Sequence, residues 1–242
     1  MQGKITRDLM MLLAYTWSKN LTDGSDNRDL DTFLANYTQV QDGYNRRAEK
    51  TYAAADIPQS LVANFIYDLP LGRGHSLLSH GWISHAVGGW ALGSVLTYQS
   101  GQIIPTPSPA FSDVPLFAGA IRPDVVDGQN PLTPQAMGNF DPGSDLYLNA
   151  NAWTSPPAFQ FGNAARMSGA RTKPLLNEDF SLLKTTSLGE HARLQFRAEA
   201  FNIFNRTVFG FPATDLGGSD FGTVVTQANK PRTLQLGAKL LF

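Results

Sequence analysis

Thr233-Leu234-Gln235-Leu236-Gly237-Ala238-Lys239-Leu240-Leu241-Phe242 places an apolar side chain at every even position and mostly polar or small ones at the odd positions. Successive side chains of an extended chain point to opposite faces, so this stretch reads as a strand with one apolar face. Alternation held for about ten residues is what a membrane-spanning barrel strand requires, because alternate side chains meet lipid and lumen over roughly 9 to 11 residues. The chain stops on Phe242 without a polar tail. Phe242 is therefore expected to belong to the strand.

The same period recurs upstream. From Ile5 to Lys19, Leu9, Met11, Leu13, Tyr15 and Trp17 share one face, with Arg7 on it near the start, where a long cation must snorkel. Gln59 to Leu69 sets Leu61, Ala63, Phe65 and Tyr67 against Ser60, Asn64 and Asp68, and a third strand from Trp90, ending near Ser100-Gly101, sets Trp90, Leu92, Leu96 and Tyr98 against Ala91, Gly93, Thr97 and Gln99. Asn177 to Leu188 and Ala192 to Asn205 follow, the latter with Leu194, Phe196, Ala198 and Ala200 opposite Arg193, Gln195, Arg197 and Glu199. This predicts about six antiparallel strands. Their connections alternate long (20–58), short (70–89), long (101–173), short (189–191) and long (206–231). Outer-membrane barrels show that asymmetry, with short periplasmic turns and long outer loops. Counted back from Phe242, all three long loops fall on the outer side. Tyr15, Trp17 and Tyr98 then lie near the outer rim, and Tyr67, Trp90 and Phe242 near the inner one. The stretch 102–173 carries no sustained period and reads as irregular loop.

With 42% hydrophobic and 16% charged residues the chain is built to fold. A net charge of −1 and the lack of a mixed basic and aromatic cluster argue against nucleic acid as a partner. No cysteine is present, which removes disulfides, thiolate metal sites and a cysteine nucleophile. The longest apolar run, Leu9 to Tyr15, is far short of the roughly 18 to 20 residues of a membrane helix. The first residues do not form a secretory signal either, so Met1 is expected to mark a truncation boundary.

Register should be tightly specified in the strand of Arg193, Arg197 and Glu199, since a slip by one residue would turn those charges into hydrocarbon, at about 2 to 4 kcal/mol for a midplane arginine. These three and Lys239 are candidate lumen-facing residues. They either hydrate the inner wall as cross-strand pairs or touch a ligand. The rival fold is a soluble or surface β-sandwich that binds carbohydrate or protein through its loops. Loops of ~30 residues or more are uncommon there.

Three blocks, Ala14-Tyr15-Thr16-Trp17-Ser18-Lys19, Phe65-Ile66-Tyr67-Asp68-Leu69-Pro70-Leu71-Gly72-Arg73-Gly74 and Gly88-Gly89-Trp90-Ala91-Leu92 through Tyr98-Gln99-Ser100-Gly101-Gln102, resemble successive landmarks of the Oar-like TonB-dependent receptors. Phe161-Gly162-Asn163-Ala164, Asp179 to Lys184, Arg193 to Asn205 and the final Phe242 continue the resemblance in the same order. It implies a transporter of about 22 strands around a plug, energised through TonB. On that reading residues 1–242 are the carboxy-terminal part of the barrel, with the plug and amino-terminal domain absent. The expected partners are outer-membrane lipid, the rest of the barrel and plug, TonB through the missing part, and the barrel-assembly machinery, for which Leu240 and Phe242 form the signal. Arg166-Met167-Ser168-Gly169-Ala170-Arg171 departs from the more regular turn of the family. With both edge strands unpartnered, the chain is not expected to fold alone.

No catalytic constellation, cofactor motif or convincing metal site emerges, so the chain is not expected to be an enzyme. Asp23, Asp26, Asp29 and Asp31 could crowd oxygen ligands round calcium, yet lack the EF-hand order. His75, His80 and His85 recur at a spacing that aligns neither a helix nor a strand face. Gly72-Arg73-Gly74 is a turn. Phe209, Phe211 and Phe221 in the last long loop either stack on a substrate or pack the loop on itself.

Overall fold

Alternation in the sequence becomes a single antiparallel meander in the computed structural model, which describes residues 2–4, 8–24, 40–72, 77, 80–81, 84, 87–109, 121–189 and 192–242. Its strands are β1 (Gln2–Lys4), β2 (Leu9–Trp17), β3 (Gln59–Asp68), β4 (Trp90–Gln99), β5 (Leu175–Ser187), β6 (Arg193–Phe201) and β7 (Thr233–Leu241). They lie side by side in chain order, each antiparallel to the next. The all-β, up-and-down architecture agrees with the expectation. The remaining sheets among the described residues are two-stranded ribbons, so the second large sheet that a sandwich needs is not there.

Register joins the apolar faces without a break. One row crosses six strands through Leu9, Tyr67, Leu92, Leu182, Ala198 and Leu236. A second runs through Met11, Phe65, Ser94, Phe180, Ala200 and Leu234. Tyr15, Leu61, Tyr98 and Leu176 form a row at the long-loop end, and Trp90 lies towards the opposite end, as the girdle reading expects. Among the described residues no layer of protein packs over this face: of the buried hydrophobic residues only Ala63 comes from the six long strands. Leu236 is 83% exposed and Trp17 80%.

Several boundaries differ from the sequence reading. The first long strand starts at Leu9, not Ile5, and Gln2–Lys4 pairs antiparallel with Met10 to Leu12 as a seventh, edge strand. Arg7 lies outside the described residues. β6 ends at Phe201, not Asn205, because Asn202 takes a left-handed conformation (φ 49°), which asparagine tolerates and a strand does not. The turned Asn202 is then held, its Nδ2 donating to the carbonyls of Arg206 and Lys230 and its N–H to Asp179 Oδ1. Gly89 (φ 72°) opens β4 hard against the Thr185 carbonyl, a place where a Cβ would collide with backbone.

The larger correction concerns 102–173, which is not structureless. Ile103–Pro105 pairs with Met167–Arg171, and Asp124–Val125 with Trp153–Thr154. Two one-turn helices, α1 (Arg46–Glu49) and α2 (Pro134–Met137), are capped by Asn45 and Thr133. Together with 206–231 these loops enclose a hydrophobic core of Ile104, Tyr147, Leu148, Trp153, Phe221 and Val224. Phe140 meets the rings of Tyr147 and Phe209 edge-on at 5.1 and 5.4 Å. The molecule's core therefore sits in a cap at the long-loop end, not against the sheet.

Candidate functional site: the polar wall and its cap

The four predicted lumen-facing residues fall on one face of β6 and β7, opposite the apolar rows. Arg193 stands across from Leu241, Gln195 from Lys239, Arg197 from Gly237 and Glu199 from Gln235. Cross-strand ion pairing, one of the two readings, is not formed here, because β7 presents Leu241, Gly237 and Gln235 to the β6 charges, and Lys239 stands opposite the uncharged Gln195. The pair that does form runs along the strand, Arg197 Nη1 to Glu199 Oε1 at 3.8 Å. It is loose and half exposed, worth at most about 1 kcal/mol, so both groups stay available to solvent or a ligand. Leu240 pairs across from Leu194 on the apolar face, and Phe242 is fully exposed beyond the end of β7.

On β2 to β4 the same face turns apolar. The row that carries Glu199 and Gln235 continues through Ser181 and Gly93 to Ile66 and Met10, both more than half exposed. Beside it lie Leu12 and Val95, with the Asn64 Oδ1 between them buried and unpartnered among the described residues. A charged half and an apolar half thus share the inner wall.

Above the wall, buried ions tie the first long loop to the second. Glu49, fully buried on α1, accepts a bidentate pair from Arg122 (Nη1 to Oε2 2.7 Å, Nη2 to Oε1 2.9 Å) and backbone N–H bonds from Gln41 and Asp42. Arg166, equally buried, donates to the carbonyls of Thr22, Gly24 and Glu49. The stretch 166–171, irregular in sequence, is thus the clamp of the cap: Arg166 holds the first loop, and Arg171 pairs with buried Asp56. Burial pushes the Glu49 carboxyl up, but the hydrogen bonds from Arg122 and from backbone outweigh it and hold the group below its ordinary 4.5. Burial pushes the Tyr147 phenol up to about 12, and its neutral hydroxyl donates to the Arg171 carbonyl.

The two readings of the last-loop phenylalanines are separated. Phe221 is buried in the cap core and Phe209 and Phe211 pack against it, so they fold the loop and do not form an open stacking platform. Asp23 pairs with Arg46 at 2.8 Å, and Asp26, Asp29 and Asp31 lie outside the described residues, as do His75 and His85. Among the described residues no three acidic or histidine side chains gather as metal ligands. Two ionised groups on the apolar face were not singled out from sequence, Glu178 and Lys184. Each sits near a rim and is provided for: Glu178 accepts from Tyr98 Oη and Arg206 Nε, and Lys184 donates to the Gly88 carbonyl beneath the Trp90 ring. Their even numbering, within a strand whose even positions are apolar, was the signal that could have found them.

A meander with one continuous, aromatic-edged apolar face that no protein covers, and a partly charged face behind it, is the wall of a transmembrane β-barrel. The chain belongs to the outer membrane beta barrel domain family, whose model matches residues 1–235. It is a protein of the outer membrane, with lipid as the environment of the apolar face. Searches of curated proteins and of solved structures returned no match.

Proposed function

We propose that this chain is the carboxy-terminal part of the barrel of a TonB-dependent, Oar-like receptor that moves a substrate across the outer membrane, and that it carries no catalytic chemistry of its own. The observation that supports a plugged transporter over an open channel is the apolar half of the inner wall. Met10, Leu12, Ile66 and Val95 would face water in a porin-like lumen, whereas a plug would cover them. The charged half, Arg193, Arg197, Glu199 and Lys239, would then border the path of the substrate. The ordered resemblance of the sequence blocks supports the same reading. Short connections at one end of the sheet and the folded cap at the other support an orientation with the cap outside the cell.

The seven strands of the main sheet among the described residues leave two edges open and fall below the usual minimum of about eight for closure, so further strands would complete the barrel. In that arrangement β7 pairs with the first strand of the whole barrel, and Leu240 and Phe242 serve as the signal for the assembly machinery. Deleting Phe242 is expected to lower the amount inserted in the outer membrane severalfold while leaving the melting of the inserted fraction within about 1 kcal/mol of wild type, because the side chain touches nothing here. Heat-modifiable mobility on gels measures the first quantity and denaturant titration of purified membranes the second.

Energy coupling is tested by photo-crosslinking in cells that carry the natural gene product. A TonB adduct, lost when the proton gradient is collapsed, is the expected result. An outer-membrane protein that yields no TonB adduct at any probe position would remove the TonB-dependent reading and leave a barrel of another transport class.

A further inference from the structure

Where the cap meets the sheet, a groove of about 450 Å³ opens between Phe140, Leu176, Val208 and Phe209, and two cations, Lys173 and Arg206, stand in its wall. Leu176 belongs to the apolar face, in the row of Tyr98, Leu61 and Tyr15, so the groove opens towards lipid and not towards the lumen. We propose that this groove binds the phosphate-bearing head of an anionic lipid in the leaflet at the cap end of the barrel. With the cap outside the cell, as proposed above, that is the outer leaflet, and this assignment rests on that reading.

The cations are held in place. The Arg206 Nε donates to Glu178 at 3.0 Å, and Glu178, nearly fully buried and also bonded by Tyr98 Oη, fixes the guanidinium from behind. Its two Nη groups take no hydrogen bond among the described residues and form the planar fork that matches phosphate oxygens. Lys173 Nζ donates one bond to the Gly138 carbonyl at 2.8 Å and has further donors to give. Asp141 is the one acid in the lining, and its Oδ1 is engaged by the Gly143 N–H. Two anchored cations over an apolar floor of Phe140, Leu176 and Phe209 suit a ligand that is anionic at one end and hydrocarbon at the other. A soluble anion would leave that floor unused.

The experiment is lipid retention. Protein extracted from outer membranes in a mild non-ionic detergent should carry phosphorylated lipid detectable by native mass spectrometry, and Lys173→Ala/Arg206→Ala should retain roughly tenfold less. Equal retention overturns the proposal. Because Arg206 also neutralises Glu178, Lys173→Gln with Arg206 intact is the second variant. It should lose lipid severalfold with unchanged protease resistance of the cap, and no loss overturns the site. Excess inorganic phosphate should fail to displace the lipid; if it does displace it, the groove is a soluble-anion site and the lipid assignment falls. Orientation is read separately with Ser144→Cys, an exposed cap position in a chain without cysteine, and a membrane-impermeant maleimide on intact cells. Labelling from outside supports the outer leaflet. Labelling only after lysis overturns the leaflet and the orientation together, while the retention result still reports on the groove.

Discussion

Glu49→Ala is expected to destabilise the cap by about 3 to 5 kcal/mol, the range for removing one partner of a buried ion pair. The reason is what it leaves behind. Arg122 and Arg166 are both almost wholly excluded from water, and Glu49 is the carboxylate that faces the pair of them. Arg166 retains its backbone carbonyls, but Arg122 would keep a buried guanidinium whose Nε already lacks an acceptor among the described residues. Gln41 and Asp42 would lose the acceptor of their N–H groups as well. Replacing the pair together, Glu49→Leu with Arg122→Met, should cost less than Glu49→Ala alone, since no buried charge is then orphaned at that pair. Limited proteolysis of the cap in intact outer membranes measures both, and a Glu49→Ala cap as resistant as wild type would refute the account. Acid should imitate the mutation. The folded-state pKa of Glu49 lies below its ordinary value, so its contribution is complete above that value and is lost as pH falls through the lowered one. The cap should therefore open on acidification below the usual carboxylate range, while the Glu49→Leu/Arg122→Met variant should lack that step.

That clamp also shows where sequence reading reaches its limit. Strand β4 was legible from its start at Trp90 to within a residue or two of its end at Gln99, because period-two alternation is a local signal bounded by glycines at 88, 89 and 101. That Arg193, Arg197, Glu199 and Lys239 share one face of the sheet was legible on the same ground, since parity along a strand decides the face. The cap was not. Its ion pairs join residues 73 and 117 positions apart, and its core is assembled from single apolar residues in turns, such as Leu148 and Phe221, that have no period to detect. Glycine and proline marked 102–173 as broken chain, but could not say that broken chain would pack. Asn202 falls between these cases. Phe201-Asn202-Ile203 stays apolar-rich but inverts the parity of Leu194, Phe196, Ala198 and Ala200, and the strand ends there, at the left-handed backbone of Asn202.

Ala198→Arg should cost about 2 to 4 kcal/mol in the membrane-inserted protein, while Gln195→Arg, three residues away on the same strand, should cost less than about 1 kcal/mol, the hydrated repulsion from Lys239 opposite and from Arg193 and Arg197 beside it. Ala198 lies between Leu182 and Leu236 in the row that crosses all six long strands, and its side chain is exposed to whatever solvent bathes that face. In water an exposed Ala-to-Arg change on a strand would cost a few tenths of a kcal/mol. In hydrocarbon the guanidinium has no partner in that row, and the ionised group on the same face one row away, Lys184 opposite Phe196, is itself a cation. Gln195, opposite Lys239, faces the polar wall instead, where an added arginine remains hydrated. The contrast between the two sites therefore measures the solvent on each face, independently of the strand's intrinsic stability. Denaturant titration of each variant inserted in lipid vesicles supplies the values. A small and equal effect at both positions would mean that the apolar face does not meet hydrocarbon. A large effect at 195 with none at 198 would mean that the lipid and lumen faces are the reverse of those derived from register.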